Sequence, residues 1–493
     1  MSVVNIENLT FAYDGSYDNV FTNVSLRFDT SWRLGLTGRN GRGKTTLLRL
    51  LTGQYRYSGY IATDAAFEYF PYTVKNPLDC CLHIAESMNP HCPLWQLERE
   101  LRQLDMDPEV LQRPFCTLSC GEQTKLLLAL LFLKDNSFLL IDEPTNHLDM
   151  AGRQLLGKYL RSKEGFLLVS HDRAFLDSCV DHMMAINKTG IEIQSGNFSS
   201  WQHNMELRQQ FELKENQRLK NDIKRLELAS AQSGAWSDRV EKSKYSTRNS
   251  GLRPDRGFVG HKAAKMMKRS KSLEQRRQTA IEEKSLLLRD VEEAEALKLS
   301  PLRYHSNKLA ELSHVTIAYS PHQPVCSDIS FCIRQGDRIA LQGKNGCGKS
   351  SILKLLCGME IPHLGKAEMG SRLKISYLPQ DFSQLRGSVW DYADTQGVDR
   401  TLFLAILRKL GFERVQFEKQ LEELSGGQQK KVLLARSLCQ QAHLYIWDEP
   451  LNFIDLYSRI QVEELLLEYQ PTLLFVEHDR AFCEKVATKT ILL

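Results

Sequence analysis

Two glycine-rich octapeptides are built to hold phosphate. Residues 38–45 read GRNGRGKT and residues 343–350 read GKNGCGKS. In each, glycines let main-chain N–H groups turn inward on phosphate oxygens at the start of a helix, whose dipole favours negative charge, while Lys44 or Lys349 reaches the outer phosphates. The candidate contacts are Gly38, Asn40, Gly41, Gly43, Lys44, Thr45 and Thr46 in the first loop, and Gly343, Asn345, Gly346, Gly348, Lys349, Ser350 and Ser351 in the second. Thr45 and Ser350 bring the hydroxyl that suits a Mg2+ ion shared with the phosphates. Further along each half, a four-residue apolar run ends in a carboxylate pair, Asp142–Glu143 and Asp448–Glu449. A bare Asp-Glu pair is ordinarily surface charge. Behind an apolar strand, the aspartate suits the Mg2+ shell and the glutamate can take the proton of an attacking water. The chemistry these residue types support is hydrolysis of ATP.

The spacing doubles the argument. Lys44 and Lys349 stand 305 positions apart, Ser119 of LSCGEQ and Ser425 of LSGGQQ 306, Glu143 and Glu449 306, and His171 and His478 307. Four motifs in one order at one long offset mark duplicated domains and not a solenoid. Short apolar strands must position them: residues 33–37 enter the first loop, 138–141 lead to Asp142 and 166–170 lead to His171, a scheme repeated from about 308 onward. Alternating βα units of this kind predict α/β domains with a mostly parallel sheet, over 1–200 and 306–493, the P-loop strand partnered by the one that ends in Asp-Glu.

Residues 201–305 read differently. Leu207, Phe211, Leu219, Ile223 and Leu226 fall near helical spacing, and Met266, Leu273, Ala280, Leu287 and Ala294 recur every seven residues. Phe211 and Met266 are expected in the seam of an antiparallel coiled coil. Three Gly and one Pro in residues 246–260 predict the turn of this helical hairpin. Across the 493 residues the formal charge is only +4, yet residues 231–280 hold thirteen Lys and Arg against four Asp and Glu. A basic block in a near-neutral chain points to a polyanion. Around the turn, Lys244, Arg248, Arg253, Arg256, Lys262 and Lys265 could neutralise RNA phosphates, and Tyr245 and Phe258 could stack on an exposed base or touch a bound drug. Twelve cysteines without a CxxC pair, and no apolar leader, predict a cytoplasmic setting. The longest apolar run, residues 126–133, falls well short of the roughly 20 residues a spanning helix needs.

LSCGEQ and LSGGQQ resemble the signature of ABC ATPases, and the P-loop, Asp-Glu pair and later histidine follow in that family's order. The resemblance covers residues 1–200 and 308–493. It implies a monomer whose halves form a head-to-tail sandwich, ATP closing it and hydrolysis opening it. Ser119, Gly121 and Glu122 would meet the ATP on Lys349, and Ser425, Gly426, Gly427 and Gln428 the ATP on Lys44. Tyr13 and Tyr319 resemble the aromatic that stacks on adenine, His171 and His478 the switch histidine, Gln380 the Mg2+- and water-sensing glutamine, and Asp149 and Asp455 the aspartates that cross the seam. Two positions depart: Tyr72 stands where glutamine is usual, and Cys120 where the signature has glycine. Under the exchange, Tyr72 serves the Lys44 site and Cys120 the Lys349 site, so both sites are expected to turn over slowly and unequally.

The EPTNHLD sequence and the long linker look like the ABC-F branch, which acts on ribosomes. That likeness implies large-subunit rRNA near the tRNA exit region and peptidyl-transferase centre, and peptidyl-site tRNA, as partners, with no membrane subunit. FAYD, RNGRGKTTLLRLL, DPEVLQRPF, GNFS, MKRSK and YIWDEPLN further resemble the Lsa-type antibiotic-resistance group. This implies protection against lincosamides, pleuromutilins and streptogramin A compounds. Two other readings share the motifs: a housekeeping ABC-F translation factor, and the fused ATPase subunit of a membrane transporter, for which a basic helical linker is unusual. A DNA-repair ATPase would need zinc-binding CxxC pairs or much longer coiled coils.

Overall fold

The computed structural model describes residues 2–13, 19–146, 148–187, 190–243, 268, 275–276, 279, 297–320, 323–344, 346–383 and 385–493. The first half opens with Val3–Phe11 (β1) and Phe21–Asp29 (β2), then Arg33–Gly38 (β3), Ser58–Ala62 (β4), Ala66–Phe70 (β5), Ser137–Asp142 (β6), Phe166–Val169 (β7), His182–Asn187 (β8) and Gly190–Ser195 (β9). Two sheets result. An antiparallel sheet runs β2-β1-β4, and a second runs β5-β6-β7-β3-β8-β9, parallel except for β9. The parallel strands are apolar on both faces: Phe138 to Ile141 and Phe166 to Val169 are all buried, as strands sandwiched between layers must be. β1 instead buries one face through Val4, Ile6, Leu9 and Phe11, its register shifting where Asn8 sits at positive φ. The antiparallel sheet was not foreseen from the sequence.

The second half repeats the plan. Lys308–Ser320 (β10), Gln323–Arg334 (β11) and His363–Met369 (β13) form the antiparallel sheet in the order β11-β10-β13. Arg338–Gln342 (β12), Ile375–Leu378 (β14), Leu444–Asp448 (β15), Leu473–Val476 (β16) and Lys489–Leu492 (β17) form a parallel sheet in the order β14-β15-β16-β12-β17. One expectation is corrected in both halves. The P-loop strand does not pair with the carboxylate strand: β7 lies between β3 and β6, and β16 between β12 and β15. The histidine strand, apolar along its whole length, takes the central place because it is buried on every side.

Register then places the chemistry. Leu36 and Asp142 both lie opposite Val169, and Leu341 and Asp448 both lie opposite Val476. P-loop, acidic pair and histidine therefore leave the sheet at one level, outside the carboxyl ends of parallel strands, where open α/β sheets bind ligands. Both halves belong to a single compact unit comprising Met1–Trp201 and Ala294–Leu493. Leu297, Leu299 and Tyr304, assigned to the linker from sequence, are buried in the second half's core.

Residues Gln202–Glu293 make the other unit. Its described part is mainly residues 202–243 of the helix Phe198–Ser243, which is 46 residues and about 70 Å long at 1.5 Å per residue. Buried Phe198 and Trp201 pack together at its start. Leu207 and Phe211, expected in a coiled-coil seam, are 51% and 66% exposed. Of the second predicted stretch, Lys268, Gln275, Arg276 and Thr279 are helical, while Met266 lies outside the described residues. Among the described residues, no helix is long and apolar enough to cross a membrane.

Candidate active site

Each P-loop leads into a short helix, Lys44–Leu51 and Lys349–Leu356, whose N-cap glycine, Gly43 or Gly348, adopts φ of 90°. That left-handed conformation suits glycine, and no side chain caps the first-turn N–H groups, which stay open for an anion. Lys44 Nζ is folded onto Gly38 O at 2.7 Å and also reaches Asn40 Oδ1 at 3.3 Å. Lys349 Nζ donates to Gly343 O and Lys344 O, both at 2.9 Å. Tyr13 and Tyr319 stand over these loops, held by hydroxyl contacts to Thr46 at 2.6 Å and Ser351 at 2.8 Å. Both rings are about half exposed, leaving a face for a base. Gly41 and Gly346 also have positive φ. Asn345 lies outside the described residues.

At the carboxylate pairs, Thr45 Oγ1 donates to Asp142 Oδ2 at 2.9 Å, joined by the Tyr69 hydroxyl at 3.1 Å. Ser350 stands beside Asp448 and favours its ionised form, and Asp448 Oδ1 is buried without a hydrogen-bond partner. Burial raises both aspartates above their ordinary value. An orphaned carboxylate oxygen beside a P-loop hydroxyl fits a hard cation. Glu143 and Glu449 follow at φ of 51° and 48°, a strained backbone for a non-glycine residue, fixed by N–H bonds to Val169 O and Val476 O. His171 Nε2 and His478 Nε2 each lie 3.5 Å from their glutamate's Oε1.

The two glutamates then diverge. Gln380 Nε2 donates to Glu449 Oε2 at 2.9 Å, and Asn452 Nδ2 bonds the same oxygen. Burial alone would raise Glu449, but the neighbouring His478 and the Gln380 hydrogen bond outweigh it and hold its carboxyl below the usual value. Glu143 Oε1 is buried without a hydrogen bond. Burial, with Asp142 adjacent, pushes Glu143 up to about 8. Tyr72, at the point after β5 that Gln380 occupies after β14, brings no amide. His171 is pushed well down, first by burial and then by the charges of Lys44 and Arg459.

The seam between the halves brings the remaining candidates together. A cavity of about 770 Å³ is lined on one side by Ser119, Cys120, Gly121, Glu122 and Asp149, and on the other by Gly346, Gly348, Lys349, Ser350, Gln380, Glu449 and His478. Its size suits a nucleotide. At the other P-loop, Asn40 Nδ2 donates to Phe453 O at 2.8 Å, and a Cβ on Gly427 would lie 2.5 Å from Asn40 Nδ2. The Arg39 guanidinium also sits over the Tyr457 ring. Each P-loop therefore faces the other half's signature. Ser119 with Glu122, and Ser425 with Gln428, form reciprocal capping boxes at the start of the helices Cys120–Phe132 and Gly426–Cys439. Gly426 faces the Phe382 ring. Asp149 and Asp455 cap the next helices, Met150–Arg161 and Leu456–Tyr469, through Gly152 N and Ser458 N.

Sequence reasoning missed Asn452, Tyr69 and two arginines. Arg153 bridges Leu148 O and Asp172, and Arg459 bridges Ile454 O, Leu451 O and Asp479. They tie each seam aspartate's loop to its histidine loop. The 306-residue offset links Arg153 to Arg459 and could have flagged them. The linker candidates Lys244, Tyr245, Arg248, Arg253, Arg256, Phe258, Lys262 and Lys265 all lie outside the described residues.

The family model described as "ABC transporter" matches residues 21–146 and 326–452. The chain belongs to this ABC family, as an ATP-hydrolysing enzyme with two ATPase domains in tandem. It is 28% identical to "Ribosome protection protein VmlR" of Bacillus subtilis (strain 168), covering all of this chain and 86% of that protein. It is 26% identical to "ABC transporter F family member 2" of Arabidopsis thaliana, over 99% of this chain and 76% of that one. A solved archaeal ribosome recycling factor, aABCE1 in complex with ribosomal stalk protein aP1, superposes with a TM-score of 0.61 at 19% identity, over 96% of this chain and 84% of that chain. That likeness is one of fold.

Proposed function

We propose that this chain is an ABC-F ATPase of the cytoplasm that binds the large ribosomal subunit and protects its peptidyl-transferase centre from lincosamide, pleuromutilin and streptogramin A antibiotics. The observation that carries this reading is the long helix that follows the first ATPase half in sequence and runs into a segment of local charge +9, between two halves whose ATP sites share one seam. Such a basic linker is unusual in a transporter's energy subunit. The similarity over the full chain to a protein named for ribosome protection supports the choice.

In this reading ATP binds the two P-loops, with Tyr13 and Tyr319 against adenine and the partner half's signature closing over the γ-phosphate. Capped helix starts present Ser119 and Ser425 there with adjacent N–H groups. Mg2+, which would spread the phosphate charge, would be held by Thr45 and Asp142 at one site and by Ser350, Asp448 and Gln380 at the other. Glu449 accepts the proton of the attacking water while His478 steadies the glutamate and the γ-phosphate; Glu143 and His171 do the same on the other side. Closure places the linker tip, residues 244–265, at the tRNA exit region beside peptidyl-site tRNA. Lys and Arg there meet phosphates, and Tyr245 and Phe258 meet bases or drug.

The test is a Glu143→Gln, Glu449→Gln protein, trapped with ATP and sedimented with ribosomes, alongside drug-susceptibility assays of cells carrying the wild type. ATP-dependent co-sedimentation with protection from the named drugs is expected. Ribosome binding without protection returns the protein to a housekeeping translation role, and no binding overturns the ribosomal reading altogether.

A further inference from the structure

We propose that Lys430 is a positioning residue that couples the two ATP sites through the second half. It rests on the crossed assignment of the sites made above. Lys430 lies in the helix Gly426–Cys439, whose signature end faces the Lys44 site, yet its ammonium points to the other one. Nζ donates to Pro379 O at 2.9 Å, to Asp448 O at 3.2 Å and to Gln380 O at 3.4 Å. Those carbonyls belong to the loop that delivers Gln380 and to the end of the strand that delivers Asp448 and Glu449, all at the Lys349 site. The side chain is 1% exposed, so each of its three protons must be satisfied inside the protein.

Further polar contacts fasten the same helix to the same strands. Arg436 bonds Tyr377 O, Ser376 Oγ meets Ser437 Oγ at 2.8 Å, and Trp447 Nε1 donates to Ser437 Oγ at 2.9 Å. Hydrogen bonds of fixed geometry carry a displacement, whereas apolar faces can slide. A shift of Gln380 or Asp448 on nucleotide binding therefore moves Ser425, Gly426 and Gly427 against the Lys44 site.

The first half is built otherwise at the matching positions. Thr124, Leu130 and Leu131 replace Lys430, Arg436 and Ser437, and Thr124 Oγ1 bonds Cys120 O within its own helix at 2.9 Å. Its signature helix lacks the tie to the acidic strand that Lys430 provides. Of the two paths that could join the sites, the second half carries the coupling, and by linkage it acts equally in both directions on binding.

The test uses purified full-length protein without ribosomes. In a Glu449→Gln protein the Lys349 site keeps its ATP, so steady turnover reports the Lys44 site. Adding Lys430→Met is expected to raise the KM of that turnover about 5- to 20-fold, the lower part of the usual range for coupled sites. Lys430→Arg, which can still reach the carbonyls, is expected to restore it. A role confined to its neighbours would lower kcat at the Lys349 site, read in a Glu143→Gln protein, and leave the Lys44-site KM unchanged; that result overturns the proposal. An equal KM rise at the Lys349 site from Thr124→Val in the Glu143→Gln protein would overturn it too. Should Lys430→Met fail to fold, Lys430→Gln reports the same constant. Turnover that persists with both glutamates changed would fault the site assignment instead, independently of Lys430.

Discussion

Glu143 and Glu449 share a motif, a strained backbone and a histidine at 3.5 Å, yet only one is fully supported. Gln380 and Asn452 orient the Glu449 carboxylate, whereas Glu143 Oε1 has no hydrogen bond and Tyr72 offers no amide. A base held in place stands ready for water, so the Lys349 site is expected to hydrolyse faster. Glu449→Gln should remove the larger share of steady-state ATP turnover and Glu143→Gln the smaller; equal losses would refute the inequality. The identities of both glutamates were legible in the sequence because strand, carboxylate pair and offset coincide. The difference between them was legible only as Tyr72 against Gln380. Asn452 went unseen, since its partner is set by how the loop after Glu449 folds back.

At the scale of elements, the helices Gly426–Cys439 and Leu456–Tyr469 are pinned by a buried ion pair. Lys431 Nζ lies 2.5 Å from Asp455 Oδ2 and 2.6 Å from Leu410 O, with both side chains almost wholly enclosed. Removing one member leaves the other charge buried and costs about 3–5 kcal/mol, so Lys431→Met should lower the unfolding midpoint measured by denaturant titration. Burial alone would raise Asp455, but Lys431 outweighs it and holds the carboxyl far below the ordinary 3.8. The stabilisation is therefore complete above that value and is withdrawn as pH falls through the lower, folded one. Acid titration of Asp455→Asn should show a shallower loss of stability in that range than the wild type. A second contact between elements is steric: a Cβ on Gly427 would overlap Phe453 O and press on Asn40. Gly427→Ala is expected to weaken ATP retention at the Lys44 site, measured by nucleotide off-rate in the Glu143→Gln protein, with little effect on the Lys349 site.

For the whole molecule, the proposed function depends on basic charge concentrated in the segment that joins the two ATPase halves along the chain. Six basic candidates, Lys244, Arg248, Arg253, Arg256, Lys262 and Lys265, crowd the predicted turn. If they neutralise rRNA phosphates, replacing them with serine should flatten the salt dependence of ribosome association as well as weaken it, because fewer counterions are released. A variant that binds more weakly with the same salt slope would place the RNA contacts elsewhere.

The sequence by itself determined the duplication, the two phosphate loops, the acidic pairs and the α/β class, since each rests on local spacing and on apolar runs that bury in only one way. Tertiary structure alone decided that the histidine strand separates P-loop from carboxylates, that antiparallel sheets flank both halves, and that Lys430 and Arg459 join distant loops. Those outcomes depend on which buried strand pairs with which, and on where a long side chain finds carbonyls in the packed interior, neither of which leaves a periodic mark along the chain.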